Sequence, residues 1–273
     1  LPFRCLLFLG KYLGRLGYYL PTRGKTTAKI NIDACFPDWS QKRRDTLLRQ
    51  YFESLGMSVF ETAVAWWAPT EKIAKLANIR GLEQIPSQPS PDQAIMVLGG
   101  HFLPMELIGR LFSLHLNFSV IFREPKHPLL RFLLTGRQAL YHQLHDRRNM
   151  ISFVKELRQG MPLWYSPDID PGKKEGVFAP FFNIPAYSLT ATTRLAKIAN
   201  ARVFIASYFR RDDNTGYDMV IHPPLDQFPS GDETADAARV NQAIESMIRQ
   251  KPEQYLWSYR RFRTRPPGEK KWY

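Results

Sequence analysis

The apolar positions of this chain fall into two kinds of run, and their alternation predicts an architecture. Ala94–Leu98 is apolar at every position, the mark of a strand buried on both faces. Asn117–Phe122, Pro162–Ser166, Arg202–Tyr208 and Tyr217–His222 read as further strands. The last two are joined through Asn214-Thr215-Gly216 as a hairpin. Between and after them, Leu107–Phe112, Lys126–Gly136, Asn149–Gln159, Ser188–Ala199 and Thr234–Gln250 read as helices, the last with a polar face. Ahead of the first strand the pattern is helical. Asp38 or Ser40 caps a helix through Gln41–Gly56, which continues over Met57–Ala68 and ends at Pro69. Residues 86–92, with three prolines and two serines, are a loop and not a domain boundary. Strands alternating with helices through the middle of the chain predict an α/β fold: a mixed central sheet flanked by helices, with a helical N-terminal section, in one domain over residues 1–273.

Composition sharpens this picture mainly through charge. A chain of 273 residues that is 44% hydrophobic has enough apolar surface for a sizeable core. The formal net charge of +13 favours an anionic partner, whether nucleic acid, an anionic membrane surface, or an acidic protein or substrate. No nucleic-acid-binding module is recognisable, so nucleic acid is not the expected partner. Leu1–Leu20 is a basic amphipathic segment with Arg4, Lys11 and Arg15 on one helical face, suited to a bilayer interface and equally to docking on the core. Trp66 and Trp67 suit an apolar wall or a membrane interface. No run of eighteen apolar residues marks a membrane-spanning helix. The chain opens at Leu1 and not at Met, which leaves room for an upstream segment. Cys5 and Cys35 read as reduced thiols. His142 and His145 read as a surface pair on one helix face, with no third ligand for a metal, and no cofactor is expected.

The candidate chemistry centres on Gly99-Gly100-His101-Phe102-Leu103-Pro104-Met105-Glu106, between the strand Ala94–Leu98 and the next helix. The two glycines are expected to turn the backbone sharply. Pro104 suits a helix start, and Glu106 falls in the first turn. On one continuous helix His101 and Glu106 would point about 140° apart. With the helix beginning between them they can meet, and an imidazole oriented by a carboxylate is a general base. Taken alone, H-x-x-x-x-E is a loose motif. Its place at the carboxyl end of a strand favours function, because open α/β sheets bind ligands there. Arg123 and Asp168 also follow strands, and Arg137 follows a helix. Arginines on such a rim can hold a phosphate or a developing oxyanion. There is no G-x-S-x-G elbow, P-loop or dinucleotide fingerprint, so the signatures of those enzyme classes are missing.

Several blocks in order then resemble a known family, the late acyltransferases of lipid A biosynthesis. They are Asn31-Ile32-Asp33-Ala34-Cys35-Phe36-Pro37; Glu61 to Trp67; Gly100-His101-Phe102 with Glu106; Trp164-Tyr165-Ser166-Pro167-Asp168; Val177 to Phe182; and Arg194-Leu195-Ala196. Pro252-Glu253-Gln254-Tyr255-Leu256-Trp257 and Arg260 to Pro266 close the series. The resemblance implies a glycerolipid-acyltransferase-like fold acting at the cytoplasmic face of the inner membrane of Gram-negative bacteria. A fatty acyl chain would pass from acyl carrier protein to a hydroxyl on an acyl chain of a lipid A precursor. It implies His101 as base and Glu106 as its orienting partner, with Arg137 and Asp168 at the family's other site positions; Arg123, from its place at a strand end, joins these two as a candidate substrate-binding residue. Members commonly carry an N-terminal membrane helix, so an upstream segment is expected to have been removed. Two other readings compete. A glycerophospholipid acyltransferase shares the histidine–carboxylate motif but differs downstream, and a non-catalytic basic membrane-surface protein would release no acyl group.

Overall fold

The computed structural model describes residues 1–86, 94–122, 141, 143–146, 150–172 and 176–273. Its centre is a seven-stranded sheet in the order β1-β9-β8-β2-β5-β3-β4. The strands are β1 (Ala77–Arg80), β2 (Ile95–Leu98), β3 (Ser119–Phe122), β4 (Gln143–Asp146), β5 (Leu163–Tyr165), β8 (Arg202–Arg210) and β9 (Tyr217–Ile221). The β8/β9 hairpin is antiparallel and the other pairs are parallel, so the sheet is mixed, as the pattern of strands and helices implies. All four residues of β2 are buried, as an unbroken apolar strand requires when both faces are covered. Each such side chain contributes roughly 1.5–3 kcal/mol of burial.

The helical section ahead of the sheet comprises α1 (Phe3–Tyr18), α2 (Arg23–Cys35), α3 (Gln41–Trp67) and the single turn α4 (Thr70–Ile73). Of the two candidate caps for α3, Ser40 is the one used, its hydroxyl accepting from the Arg43 amide at 3.3 Å. Pro69 follows the helix end, as a residue that cannot continue it. α1 lies backbone to backbone on α3. A Cβ on Gly14 would fall 2.0 Å from the Phe52 carbonyl oxygen, and one on Gly56 would fall 2.1 Å from that of Gly10. The close approach turns Lys11 and Arg15 toward Glu53 of α3, at 3.5 and 2.6 Å. The outward face of α1 is therefore mainly apolar: Phe8, Leu9, Tyr12, Leu13 and Leu16 are exposed, and Arg4 is the exposed cation in its first turn.

Helices α5 (Met105–Ser113), α6 (Met150–Arg158), α7 (Ala191–Ala199) and α8 (Glu233–Gln250) accompany the sheet. The expected helix Lys126–Gly136 and the loop at residues 87–92 lie outside the described residues. A second, two-stranded sheet pairs β6 (Gly176–Phe181) with β7 (Ile184–Leu189). Its two-residue turn, Phe182-Asn183, has both residues at positive φ, as a tight hairpin with the natural strand twist demands. Because Ser188 and Leu189 finish β7, helix α7 begins at Ala191, three residues later than its apolar pattern suggests.

His145 departs from expectation. It sits on strand β4 and not on a helix, and it is buried. Its Nε2 lies 2.8 Å from Glu156 Oε2, and its Nδ1 lies 3.1 Å from Ser152 Oγ. It ties β4 to α6 as a core polar link, whereas a surface pair with His142 would leave it wet. His142 lies outside the described residues.

Candidate active site

Parallel pairing builds the site. Leu98 of β2 stands opposite Tyr165 of β5, and the Gly99 amide continues the ladder to the Tyr165 carbonyl at 3.1 Å. Counting three residues on from each partner reaches His101 on one strand end and Asp168 on the other, side by side at the carboxyl edge of the sheet. His101 Nδ1 is 2.6 Å from Asp168 Oδ1, and the His101 backbone amide donates to Asp168 Oδ2 at 2.8 Å. The Tyr255 hydroxyl donates to the same Oδ2 at 3.1 Å.

Gly99 and Gly100 serve space and not turn geometry, since neither has positive φ. A Cβ on Gly99 would press on Tyr208 at 2.8 Å and Trp164 at 2.9 Å, and one on Gly100 would press on Phe102 at 2.9 Å. The Tyr208 hydroxyl donates to the Gly100 carbonyl from within the core. The residues after the strand are held by the C-terminal segment. The Leu103 amide donates to the Gln254 carbonyl at 2.7 Å, the Leu256 amide donates to the His101 carbonyl at 2.9 Å, and Phe102 forms an antiparallel bridge with Tyr255. Gln254 in turn clasps Arg210 at the end of β8 through both its backbone amide, at 2.8 Å, and its carbonyl, at 3.0 Å. Pro104 caps α5, and Glu106 lies in its first turn.

The carboxylate on the imidazole is thus Asp168, where the sequence reading put Glu106. Glu106 instead accepts from the Trp66 indole of α3 at 3.3 Å. The reason is geometric: register delivers Asp168 to Nδ1 directly, while the start of α5 turns Glu106 toward α3. Asp168 was also expected to bind substrate, but its side chain has 0% exposure and presents no surface to one. Arg123 and Arg137 lie outside the described residues. The cationic run Arg260–Arg265 is largely spent on structure. Arg261 is buried against the Tyr187 carbonyl, Ser188 and Asn241, while Arg263 and the Thr264 amide hold Asp170 at 3.2 and 2.6 Å.

The two partners perturb one another in opposite directions. Burial draws the His101 pKa down, but the charge of Asp168 and its hydrogen bond outweigh burial and leave it above the ordinary value. Burial pushes Asp168 up. The His101 charge and hydrogen bonds, with Arg261 nearby, more than offset that and hold the carboxyl below its usual range. His101 Nε2 makes no hydrogen bond among the described residues, and the imidazole side chain is 27% exposed. One ring nitrogen is fixed and the other faces outward, which is the arrangement of a base.

Tyr255 is the site residue that motif reading missed. It lies 87 positions from Asp168 in sequence, and no local spacing reports that contact. Its block, Pro252 to Trp257, is nevertheless among those that carry the family resemblance.

An α/β sheet carrying a carboxylate-bound histidine at the end of a central strand is an enzyme framework, and comparison with known proteins gives its class. A family model described as bacterial lipid A biosynthesis acyltransferase matches residues 1–264. The chain is 34% identical over 275 residues to the lipid A biosynthesis palmitoleoyltransferase of Escherichia coli (strain K12), covering 100% of this chain and 90% of that protein. It is 34% identical over 270 residues to the lipid A biosynthesis lauroyltransferase of the same organism, covering 98% and 88%. Among solved structures it is similar to the 1-acyl-sn-glycerophosphate acyltransferase of Thermotoga maritima at 14% identity and a TM-score of 0.41, over 82% of this chain and 94% of that one. The chain belongs to the bacterial lipid A biosynthesis acyltransferases. It is an acyltransferase.

Proposed function

We propose that this enzyme transfers a fatty acyl chain from acyl carrier protein to a hydroxyl on an acyl chain of a lipid A precursor, at the cytoplasmic face of the inner membrane, with His101 as general base. The observation that carries the base assignment is the 2.6 Å contact of His101 Nδ1 with a buried aspartate, which leaves Nε2 for the acceptor. In this reading Nε2 takes the proton of the acceptor hydroxyl as its oxygen attacks the thioester carbonyl. The C–O bond forms and the carbonyl electrons move onto oxygen. As the intermediate collapses, the C–S bond breaks and the imidazolium returns the proton to the departing thiolate. Asp168 holds the ring and compensates its charge, the part that an orienting carboxylate plays in such relays. The N-terminus of α5, which starts four residues after His101, lends positive potential to the developing oxyanion. Arg137 keeps the substrate-binding role that the resemblance implies, and Arg123 the one that its place at a strand end suggests.

The membrane is the partner that α1 supports. No helix among the described residues is long and apolar enough to cross a bilayer. The exposed face Phe8, Leu9, Tyr12, Leu13 and Leu16, with Trp67 beyond it, suits lying in the interface instead. A positive chain of +13 fits both an acidic carrier protein and a phosphorylated lipid.

The test is a product assay. Purified protein is given an acyl-carrier-protein donor with either a lipid A precursor or a lysophospholipid, and products are read by mass spectrometry. The expected result is one added acyl group on the lipid A precursor. Acylation of the lysophospholipid alone would replace this reading with the glycerophospholipid one.

A further inference from the structure

We propose that Tyr255 is a positioning residue for the acyl transfer, its hydroxyl fixing the carboxylate that fixes His101. This rests on the reading of His101 as base. Asp168 engages three donors with two oxygens. Oδ1 faces His101 Nδ1 at 2.6 Å, while Oδ2 takes the His101 amide at 2.8 Å and the Tyr255 hydroxyl at 3.1 Å. The two donors from His101 both belong to the residue being positioned. The Tyr255 hydroxyl is an anchor from elsewhere in the chain, set against the oxygen that does not face the ring.

The anchor is itself held on several sides. The Phe102 bridge and the Leu256 amide on the His101 carbonyl stitch the Tyr255 backbone to the loop that carries His101. The Tyr255 ring meets Phe102 edge to face at 5.5 Å and Trp257 at 5.1 Å, and the residue is buried. One short segment therefore grips the histidine by its backbone and the aspartate by its side chain. Burial, followed by the nearby charge of Asp168, pushes the Tyr255 hydroxyl well above its ordinary pKa, so it remains a donor wherever the enzyme works.

Removing this donor takes a hydrogen bond from an ionised carboxylate. Asp168 then becomes more basic and binds the imidazolium more strongly, so the His101 pKa rises further. The ring also loses part of its orientation. Tyr255→Phe keeps the packing and deletes only the hydroxyl.

The experiment compares kcat/KM against pH for the wild type, Tyr255→Phe and Tyr259→Phe, with His101→Ala alongside and thermal melts confirming the fold. Tyr259 is the control because its hydroxyl sits on the backbone of Asp170 instead of on the dyad. Tyr255→Phe is expected to lower kcat about tenfold, with KM for both substrates little changed and the acid limb moved to higher pH. Tyr259→Phe is expected to leave the limb in place. A wild-type limb and rate in folded Tyr255→Phe would overturn the proposal, as would an equal displacement in Tyr259→Phe. Should Tyr255→Phe melt too early to assay, rate and limb are read at a temperature below its melt. Full activity in His101→Ala would overturn the base itself. An inactive His101→Ala beside a wild-type-like Tyr255→Phe would overturn only the role of Tyr255.

Discussion

Asp168 reaches His101 twice, through Nδ1 of the ring and through the backbone amide, so one carboxylate fixes both the side chain and the loop that carries it. Asp168→Asn keeps the shape but removes the charge. We expect it to lower kcat on the order of a hundredfold or more, and His101→Ala to abolish turnover. The double variant should be no worse than His101→Ala alone, because the two residues act as a unit. Additive losses in steady-state assays would show that they do not.

The pH dependence follows from the same pair. A base must be neutral to work, so activity falls as pH drops through the His101 pKa. Asp168 holds that pKa above its ordinary value of about 6.5. The acid limb of kcat/KM is therefore expected above that pH. In Asp168→Asn only burial remains among the causes, and burial lowers the pKa, so the limb should move down. Glu106→Gln should leave the limb where it is, since the charge acting on His101 is that of Asp168. The stability contribution runs the opposite way. A raised histidine pKa stabilises the fold fully below the unfolded value and loses that stabilisation as pH rises through the folded value. Rate profiles of the three proteins check the ordering. A limb that moves more in Glu106→Gln than in Asp168→Asn would return the orienting role to Glu106.

His101 was legible in the sequence because its signals are local: an unbroken apolar strand, two small residues, and a proline before a helix. Asp168 was visible as a strand-end residue, but its contact with His101 was not. That contact depends on which strands are neighbours and in what register, and β2 pairs with β5 across 66 intervening positions between Leu98 and Tyr165, beyond the reach of periodicity. Glu106 misled for the matching reason. Sequence nearness favoured it, and tertiary packing gave its carboxylate to Trp66. The face of α1 was legible only in part. Helical periodicity put Lys11 and Arg15 on one side correctly, but Glu53, which turns that side inward, lies on another helix. Strand β1 alternates but over only four residues, Ala77–Arg80, too short a run to stand out, and β4, Gln143–Asp146, is equally short.

The N-terminal helices are keyed to the sheet through a buried ion pair. Arg210 donates to Glu61 at 2.6 Å and to Ser54 at 2.8 Å, and Tyr217 donates to the same Glu61 oxygen at 2.6 Å. Glu61→Ala strands the Arg210 charge in the core and should destabilise the fold by about 3–5 kcal/mol. Replacing both partners, as Glu61→Leu with Arg210→Met, should cost less than Glu61→Ala alone, because no uncompensated charge remains. Urea melts of the variants test this. A double variant less stable than Glu61→Ala would mean that the pair itself, and not the relief of isolated charge, dominates.

The apolar face of α1 makes a prediction about the membrane that differs from the one charge alone would make. Lys11 and Arg15 are engaged with Glu53, so the helix offers a bilayer mainly Phe8, Leu9, Tyr12, Leu13 and Leu16. Leu13 and Leu16 are 48% and 70% exposed, and changing them should alter stability by only about 0.5 kcal/mol. Leu13→Glu with Leu16→Glu should therefore leave the melt nearly unchanged while sharply reducing flotation with anionic vesicles. Raising the salt should weaken wild-type binding only in part. Salt screens the attraction of the net positive chain over a Debye length of about 8 Å at physiological strength, but it does not weaken apolar insertion. The paired substitution should thus cost more binding than salt does. Flotation of the double variant equal to wild type, or complete release of the wild type by salt, would show that charge holds this protein to the bilayer and that the α1 face does not.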